Sequence, residues 1–186
     1  MVAHLTRAVE TRHPWSEGHA FRVAELADAV ARSLAWDDGE RERLWLGALM
    51  HDVGKLSLAT EVLGKPGPLT LVEQAQMRTH PAAGVRLVVR VAEARPALPS
   101  VLFHHERWDG TGYPRGVAGV NIPVEARLVA IADAFDAMTS PRPYRGQLSF
   151  DAALAELGRC AGTQFDPVLA HASIEVWSSA ARALAV

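Results

Sequence analysis

"VEARLVAIADAFDAM" (residues 124–138) is the stretch whose reading decides the fold. Apolar side chains stand on most sides of its helical wheel, so it is expected to be a central helix surrounded by others. No segment of the chain sustains the apolar–polar alternation of a half-buried strand. Working outward, the flanking segments also read as helices. From Ser16 to Leu34, Val23, Leu26, Ala27, Val30 and Leu34 recur at helical spacing, with Arg22, Glu25, Asp28 and Arg32 between them. Asp37 and Asp38 are caps for the next helix, whose apolar face is Leu44, Trp45, Leu49 and Val53; Gly54 is its expected stop. Thr70 to Glu73 has capping-box form and starts a helix running towards His80, with Pro81 opening the following one. Pro99 and Ser100 are expected to precede a short helix carrying Val101, Leu102, His104 and His105. Gly110, Gly112, Gly116, Gly119, Pro114 and Pro123 make residues 107–123 a loop. Helices near Phe150–Cys160 and Pro167–Ala183 complete an all-α reading, a single helical-bundle domain over residues 1–186.

Bulk properties narrow the function classes. A chain of 186 residues suits one domain able to bury a real core. A formal net charge of −2 gives no global basic surface for duplex nucleic acid, so an anionic ligand must be held by local cations or metal. The lone Cys160 excludes an internal disulfide framework. No apolar run approaches the roughly 20 residues of a membrane span. The N-terminal MVAHLTRAVETRH carries charges where a signal peptide has its apolar core. A soluble, cytoplasmic protein is the expectation.

Several ionisable groups sit where apolar helices should be. His51 and Asp52 follow "LWLGALM", Asp133 lies inside "LVAIADAF", and His104–His105 follow "VLF". His19 falls in the first turn of the first long helix, and His80 at the end of another. Taken singly, each is an ordinary surface or hydrogen-bonded core residue. An unpaired buried carboxylate is costly, whereas two carboxylates and five histidines that converge are compatible with burial if they coordinate cations. Imidazole with carboxylate suits zinc, iron, manganese or nickel, and the absence of a cysteine cluster argues against structural zinc. His4, His13 and His171 read as surface residues.

"HDVGK" (His51–Lys55), "HP..G" (His80–Gly84), "HHERWDGTGYP" (His104–Pro114) and the "IAD" ending at Asp133 occur in an order and spacing that resemble the HD-GYP domain. That is a subgroup of the HD metal-dependent phosphohydrolases. The resemblance extends through "LGKPGPLT" (Leu63–Thr70), "IPVEARLVAIADAFDAMTS" (Ile122–Ser140), "RPYR" (Arg142–Arg145) and "FDP" (Phe165–Pro167). It covers a core of roughly residues 5–175, with a C-terminal helix to 186.

The resemblance implies an all-α, HD-type helical bundle with a Gly/Pro-rich GYP loop and a binuclear centre that hydrolyses cyclic di-GMP to linear pGpG, and in some members to GMP. The ions would be iron or manganese first, with zinc, nickel, magnesium and cobalt as alternatives. His19, His51, Asp52 and Asp133 would surround one ion, and Asp52 would bridge to a second held by His80, His104 and His105. Asp52 and Lys55 would be catalytic; Lys55, Tyr113, Arg142 and Arg145 would meet the substrate. Members with a third metal carry a glutamate four residues before the first histidine. Trp15 stands there and cannot ligate, so two metals are expected. His13 also departs from the aspartate common in the family.

Phosphodiester hydrolysis needs a nucleophile at neutral pH and stabilisation of developing charge, and two metals about 4 Å apart supply both. Lys55 can add a point charge at the phosphate, or be a solvated lysine complementing a helix end. Arg142 and Arg145 can fork to a phosphate or guanine edge, or form surface ion pairs. Tyr113 can stack on a base or donate to phosphate, or fold back on the core. Arg107 and Asp109 are expected to pin the loop, and Trp108 to anchor it. The alternative functions are a cyclic-dinucleotide-binding or protein-interaction module with weak catalysis, and a phosphohydrolase for another nucleotide. A length of 186 residues leaves no room for a sensor domain, so input is expected from a homodimer, a regulatory protein partner or the ligands themselves.

Overall fold

In the computed structural model, residues 2–12, 17–141 and 146–184 are described. The sequence-based expectations for His13, Trp15, Arg142 and Arg145 therefore lie outside the described residues. Helices α1 (Val2–Arg12), α2 (His19–Ser33), α3 (Asp38–Met50), α4 (Thr60–Leu63) and α5 (Leu71–Met77) come first. They are followed by α6 (His80–Val88), α7 (Leu98–Phe103), α8 (Val124–Thr139), α9 (Phe150–Cys160) and α10 (Pro167–Leu184). Short 3₁₀ turns occupy Val53–Ser57, Ala92–Ala97 and Gly119–Asn121. Among the described residues there is no strand, and a lone bridge joins Ala161 to Phe165.

Helix α8 is central, as its all-round apolarity requires. Leu128, Val129, Ile131, Ala132 and Phe135 are buried, packed with Val23, Ala27 and Val30 of α2, Leu44 and Ala48 of α3, and Leu157 of α9. Trp177 of α10 closes this core, its ring 4.5 Å from that of Phe135 and its indole N–H donating to the Leu26 carbonyl at 3.2 Å. A second cluster, Met50, Val53, Val88, Ala94, Ala97 and Val101, lies under α6 and α7.

Local signals set several boundaries. Asp37 caps α3 and Thr70 caps α5, each in a full capping box with Glu40 and Glu73 respectively. Pro81 sits in the first turn of α6.

Three expectations are corrected. Gly54 is not the stop of α3, which ends at Met50; the next residues tighten into 3₁₀ geometry. A Cβ on Gly54 would overlap the His80 carbonyl oxygen, so this glycine serves the close approach of α6. Helix α7 begins at Leu98, taking Pro99 into its first turn, and ends at Phe103, so His104 caps it and His105 follows. His80 does not end a helix: α5 stops at Met77 and His80 opens α6. Helix α1 stands where no helix was expected. It docks through tertiary bonds: Thr6 Oγ1 donates to Leu49 O (3.1 Å), and Arg12 donates to Leu56 O (2.5 Å) and Leu58 O (2.9 Å).

Candidate metal centre

The seven side chains expected to ligate metal come together as two adjoining groups. Asp52, His80, His104 and His105 form one; His19, His51 and Asp133 form the other. Within each group one nitrogen or oxygen per residue lies within 4.8 Å of the rest. Asp52 faces both groups. Its Oδ2 is 3.4 Å from His51 Nε2, and its Oδ1 is 3.3 Å from His80 Nε2 and 3.9 Å from His104 Nε2. His19 Nε2 is 3.3 Å from Asp133 Oδ1.

Helix ends aim these rings. His51 follows the last turn of α3, and its Nδ1 donates to Ala48 O at 2.7 Å. His80 Nδ1 donates to Met77 O at 2.8 Å, and His104 Nδ1 to Ser100 O at 2.9 Å. A carbonyl only accepts, so Nδ1 carries the hydrogen and the Nε2 lone pair points to the centre. His19 is held differently: its Nδ1 lies 2.7 Å from Asp136 Oδ2. Arg22 clamps Asp136, with Nε 2.6 Å from Oδ1, and Ser140 Oγ adds a bond at 3.2 Å. Asp136 was missed by the sequence reading. The available signal was a second carboxylate one turn beyond Asp133 on an apolar helix.

The donor set fits a cation. His51 Nε2 is buried with no hydrogen-bond partner among the described residues. His80 Nε2 and His104 Nε2 face each other at 3.2 Å, lone pair towards lone pair. Burial presses His80, His104 and His105 below the usual imidazole range, His105 to about 4, and neighbouring imidazoles add to the effect at His104 and His105. Burial would raise Asp52 and Asp133, but their neighbours outweigh it: the Lys55 ammonium, with His51, holds Asp52 well below the usual carboxylate range, and the hydrogen bond to His19, with His51, holds Asp133 there. Burial would likewise lower His19, yet the Asp133 and Asp136 carboxylates raise it to about 9. Neutral imidazoles at His80, His104 and His105 beside ionised Asp52 and Asp133 are the protonation states that divalent ions require, and an ion at His19 would displace its proton.

Lys55 turns inward, its Nζ 2.5 Å from Asp52 Oδ2; it is a counter-ion of the cluster, not a solvated helix-end lysine. On the α1 side, Glu10 Oε1 is buried without a hydrogen bond among the described residues, beside a small cavity it shares with His19, Asp52 and Lys55.

The GYP loop covers the other side. Glu106 Oε1 accepts from the Arg115 and Gly116 amides at 2.6 and 3.2 Å. Arg107 donates to Asp109 at 2.8 Å, and Asp109 accepts from the Thr111 amide at 3.0 Å. The Trp108 and Asp109 amides donate to Gln164 O and Thr163 O, tying the loop to the α9–α10 connection. A Cβ on Gly112 would overlap the Arg107 amide, so the loop doubles back only with glycine there. Tyr113 does not fold into the core. Its ring stacks on His105 (4.8 Å between centroids, 25° between planes), and burial pushes its hydroxyl above the usual phenol range. A cavity of about 330 Å³ opens here, lined by Tyr113, His104, His105, Asp133, Arg78 and Gln164, among others.

Comparison with known proteins points to a family. A family model described as "HD domain" matches residues 4–169. The cyclic di-GMP phosphodiesterase response regulator RpfG of Xanthomonas campestris is 40% identical over 168 residues, 89% of this chain and 44% of its own. The 3'3'-cGAMP-specific phosphodiesterase 3 of Vibrio cholerae is 37% identical over 167 residues, 90% of this chain and 36% of its own. The chain thus spans less than half the length of these curated relatives. A crystal structure of a cyclic GMP-AMP-specific phosphodiesterase from V. cholerae superposes with a TM-score of 0.71 at 19% identity, over 96% of this chain and 49% of that one.

Proposed function

The chain belongs to the HD domain family, with the HD-GYP stretch at residues 104–114 complete, and from that membership we propose that it is a metal-dependent phosphodiesterase acting on cyclic di-GMP. One observation carries the reading: two groups of potential ligating side chains both face Asp52, beside a cavity of about 330 Å³. The relative named for cyclic di-GMP supports the substrate class.

In this reading His19, His51 and Asp133 would hold one divalent ion, His80, His104 and His105 would hold another, and Asp52 would serve both. What iron or manganese supplies when bound there is an acidified water and a polarised phosphate. The rest falls to the chain's own groups. Asp52 presents one oxygen to each group, Oδ2 to His51 and Oδ1 to His80. Lys55, already beside Asp52, places its ammonium next to the scissile phosphate. Tyr113 walls the cavity and excludes water from one side. Arg142 and Arg145 are assigned to the substrate on the HD-GYP resemblance. The product is linear pGpG, with two ions bound, because Trp15 offers no further ligand. Residues 1–186 act as one cytoplasmic unit whose input comes from a second copy or a regulatory partner. No helix of the described residues is long and apolar enough to cross a membrane.

The test is turnover of cyclic di-GMP by the purified, Mn²⁺- or Fe²⁺-loaded protein, prepared anaerobically, with metal analysis on the same sample. Hydrolysis to pGpG is expected, and its abolition in the His51→Ala, Asp52→Ala double variant. Full activity in that variant, or tight binding without turnover in metal-replete protein, overturns the reading. A second reading, 3'3'-cGAMP as preferred substrate, is favoured by the V. cholerae relative; a competition assay between the two dinucleotides decides it.

A further inference from the structure

The mouth of the GYP cavity carries a cation without an acidic partner. Arg78 follows the last turn of α5, and its guanidinium carbon lies 5.2 Å from the centre of the Tyr113 ring. Among the described residues that guanidinium makes no hydrogen bond and no ion pair. The other arginine on this cavity, Arg107, is committed to Asp109 and Thr111. Arg22 and Arg127 elsewhere in the core are likewise committed, to Asp136 and Asp166.

Arg78 is exposed, yet its guanidinium rests against a neighbouring ring. It lies over Tyr113, and Tyr113 is stacked on His105, so three planar groups lead from the cavity mouth to the ligand cluster. Stacking on an aromatic face fixes a guanidinium while leaving its in-plane N–H groups unspent. Those N–H groups match two phosphate oxygens in a fork. A cyclic dinucleotide carries two phosphodiesters. The ligand cluster can engage only the one being cleaved, and the other remains an anion in a partly enclosed cavity.

The geometry points to Arg78 as the residue that receives the phosphate not being cleaved, with Tyr113 as the platform that holds it in place. This rests on the cyclic-dinucleotide reading above and adds to it a specificity device. A ligand with two phosphates is retained, and one with a single phosphate gains nothing from Arg78.

The experiment uses the metal-loaded full chain, Arg78→Ala, Arg78→Lys and Tyr113→Ala, with cyclic di-GMP and bis(p-nitrophenyl) phosphate as probes. Melting curves and metal content check that each variant is folded and loaded. Loss of a charge-assisted contact predicts a rise in KM and Kd for cyclic di-GMP of about tenfold or more in Arg78→Ala. The kcat/KM for the dinucleotide falls by a similar factor relative to that for the single diester. Arg78→Lys, which keeps charge but not the fork, lies between. Adding Arg78→Ala to Tyr113→Ala costs little more, because the platform is already gone. Binding of cyclic di-GMP by Arg78→Ala also depends less steeply on salt. An unchanged KM and Kd, an equal loss for the single diester, or a loss with the wild-type salt dependence overturns the assignment. If the wild-type protein neither binds nor cleaves cyclic di-GMP, the proposed function itself fails. If it does and Arg78→Ala matches it, only the present inference fails.

Discussion

Asp136 does for His19 what main-chain carbonyls do for His51, His80 and His104: it occupies Nδ1 and turns Nε2 to the centre. Such partners of ligating histidines typically govern metal affinity by 10- to 100-fold. Asp136→Ala is therefore expected to weaken Mn²⁺ binding by about that range, read by titration calorimetry, with Asp136→Asn in between. Equal affinity in both variants would remove Asp136 from the site. The side chains that come together in the two groups were legible because they stand out singly against apolar helices. Asp136 was not, because a carboxylate in the same helix as Asp133 reads as one more polar residue until the fold sets His19 and Arg22 against it. Arg78 was silent for the same reason: nothing near it in sequence announces Tyr113.

Elements with local causes were read well. The boxes at Asp37 and Thr70 are written within four residues, and they begin α3 and α5 where expected. The second box makes a pH prediction. Lys65 first, then the Thr70 amide and hydroxyl, lower Glu73 from about 4.5 to about 2. A carboxylate depressed on folding stabilises the fold fully above its unfolded pKa, and loses that contribution as pH falls through the folded one. The α5 cap should thus hold at pH 5 and weaken towards pH 2. The Glu73 carboxyl resonance should titrate near 2, and move up in Lys65→Ala. A midpoint near 4.5 in the wild-type protein would refute it. Elements with non-local causes were read less well. Gly54 looked like a terminator and is a contact point with α6. Gly54→Ala must push the His80 backbone away, so a loss of about 1–3 kcal/mol in metal-free stability is expected, by denaturant unfolding, along with weaker metal binding. Helix α1 escaped notice because its apolar face is short, Val2, Leu5 and Val9, and hydrogen bonds to Leu49, Leu56 and Leu58 complete its docking.

Across the whole molecule, the ligating groups come from α2, the ends of α3 and α7, α6 and α8, so the centre joins segments that are distant in sequence. An ion bound only by the folded chain stabilises it by about 4 kcal/mol at a thousandfold excess over Kd. Chelation should accordingly lower the melting temperature, and Mn²⁺ should restore it; a melting curve indifferent to both would deny that the cluster holds metal. Leu157→Ala, in the fully buried core away from the cluster, should cost about 2–5 kcal/mol while the folded fraction still takes up metal. The all-α architecture was legible because α8 is apolar all round; the pairing of helices was not, since it depends on glycine contacts and buried ions that no periodicity records. One feature of the centre bears on how such a chain can diverge. Three of its imidazoles are oriented by carbonyls, and every amino acid supplies a carbonyl. Substitution at Ala48, Met77 or Ser100 leaves that acceptor in place. Of the four imidazoles held by a partner at Nδ1, His19 alone leans on a side chain, so its ligand basicity can be retuned at residue 136 while the other three stay fixed by the covalent backbone.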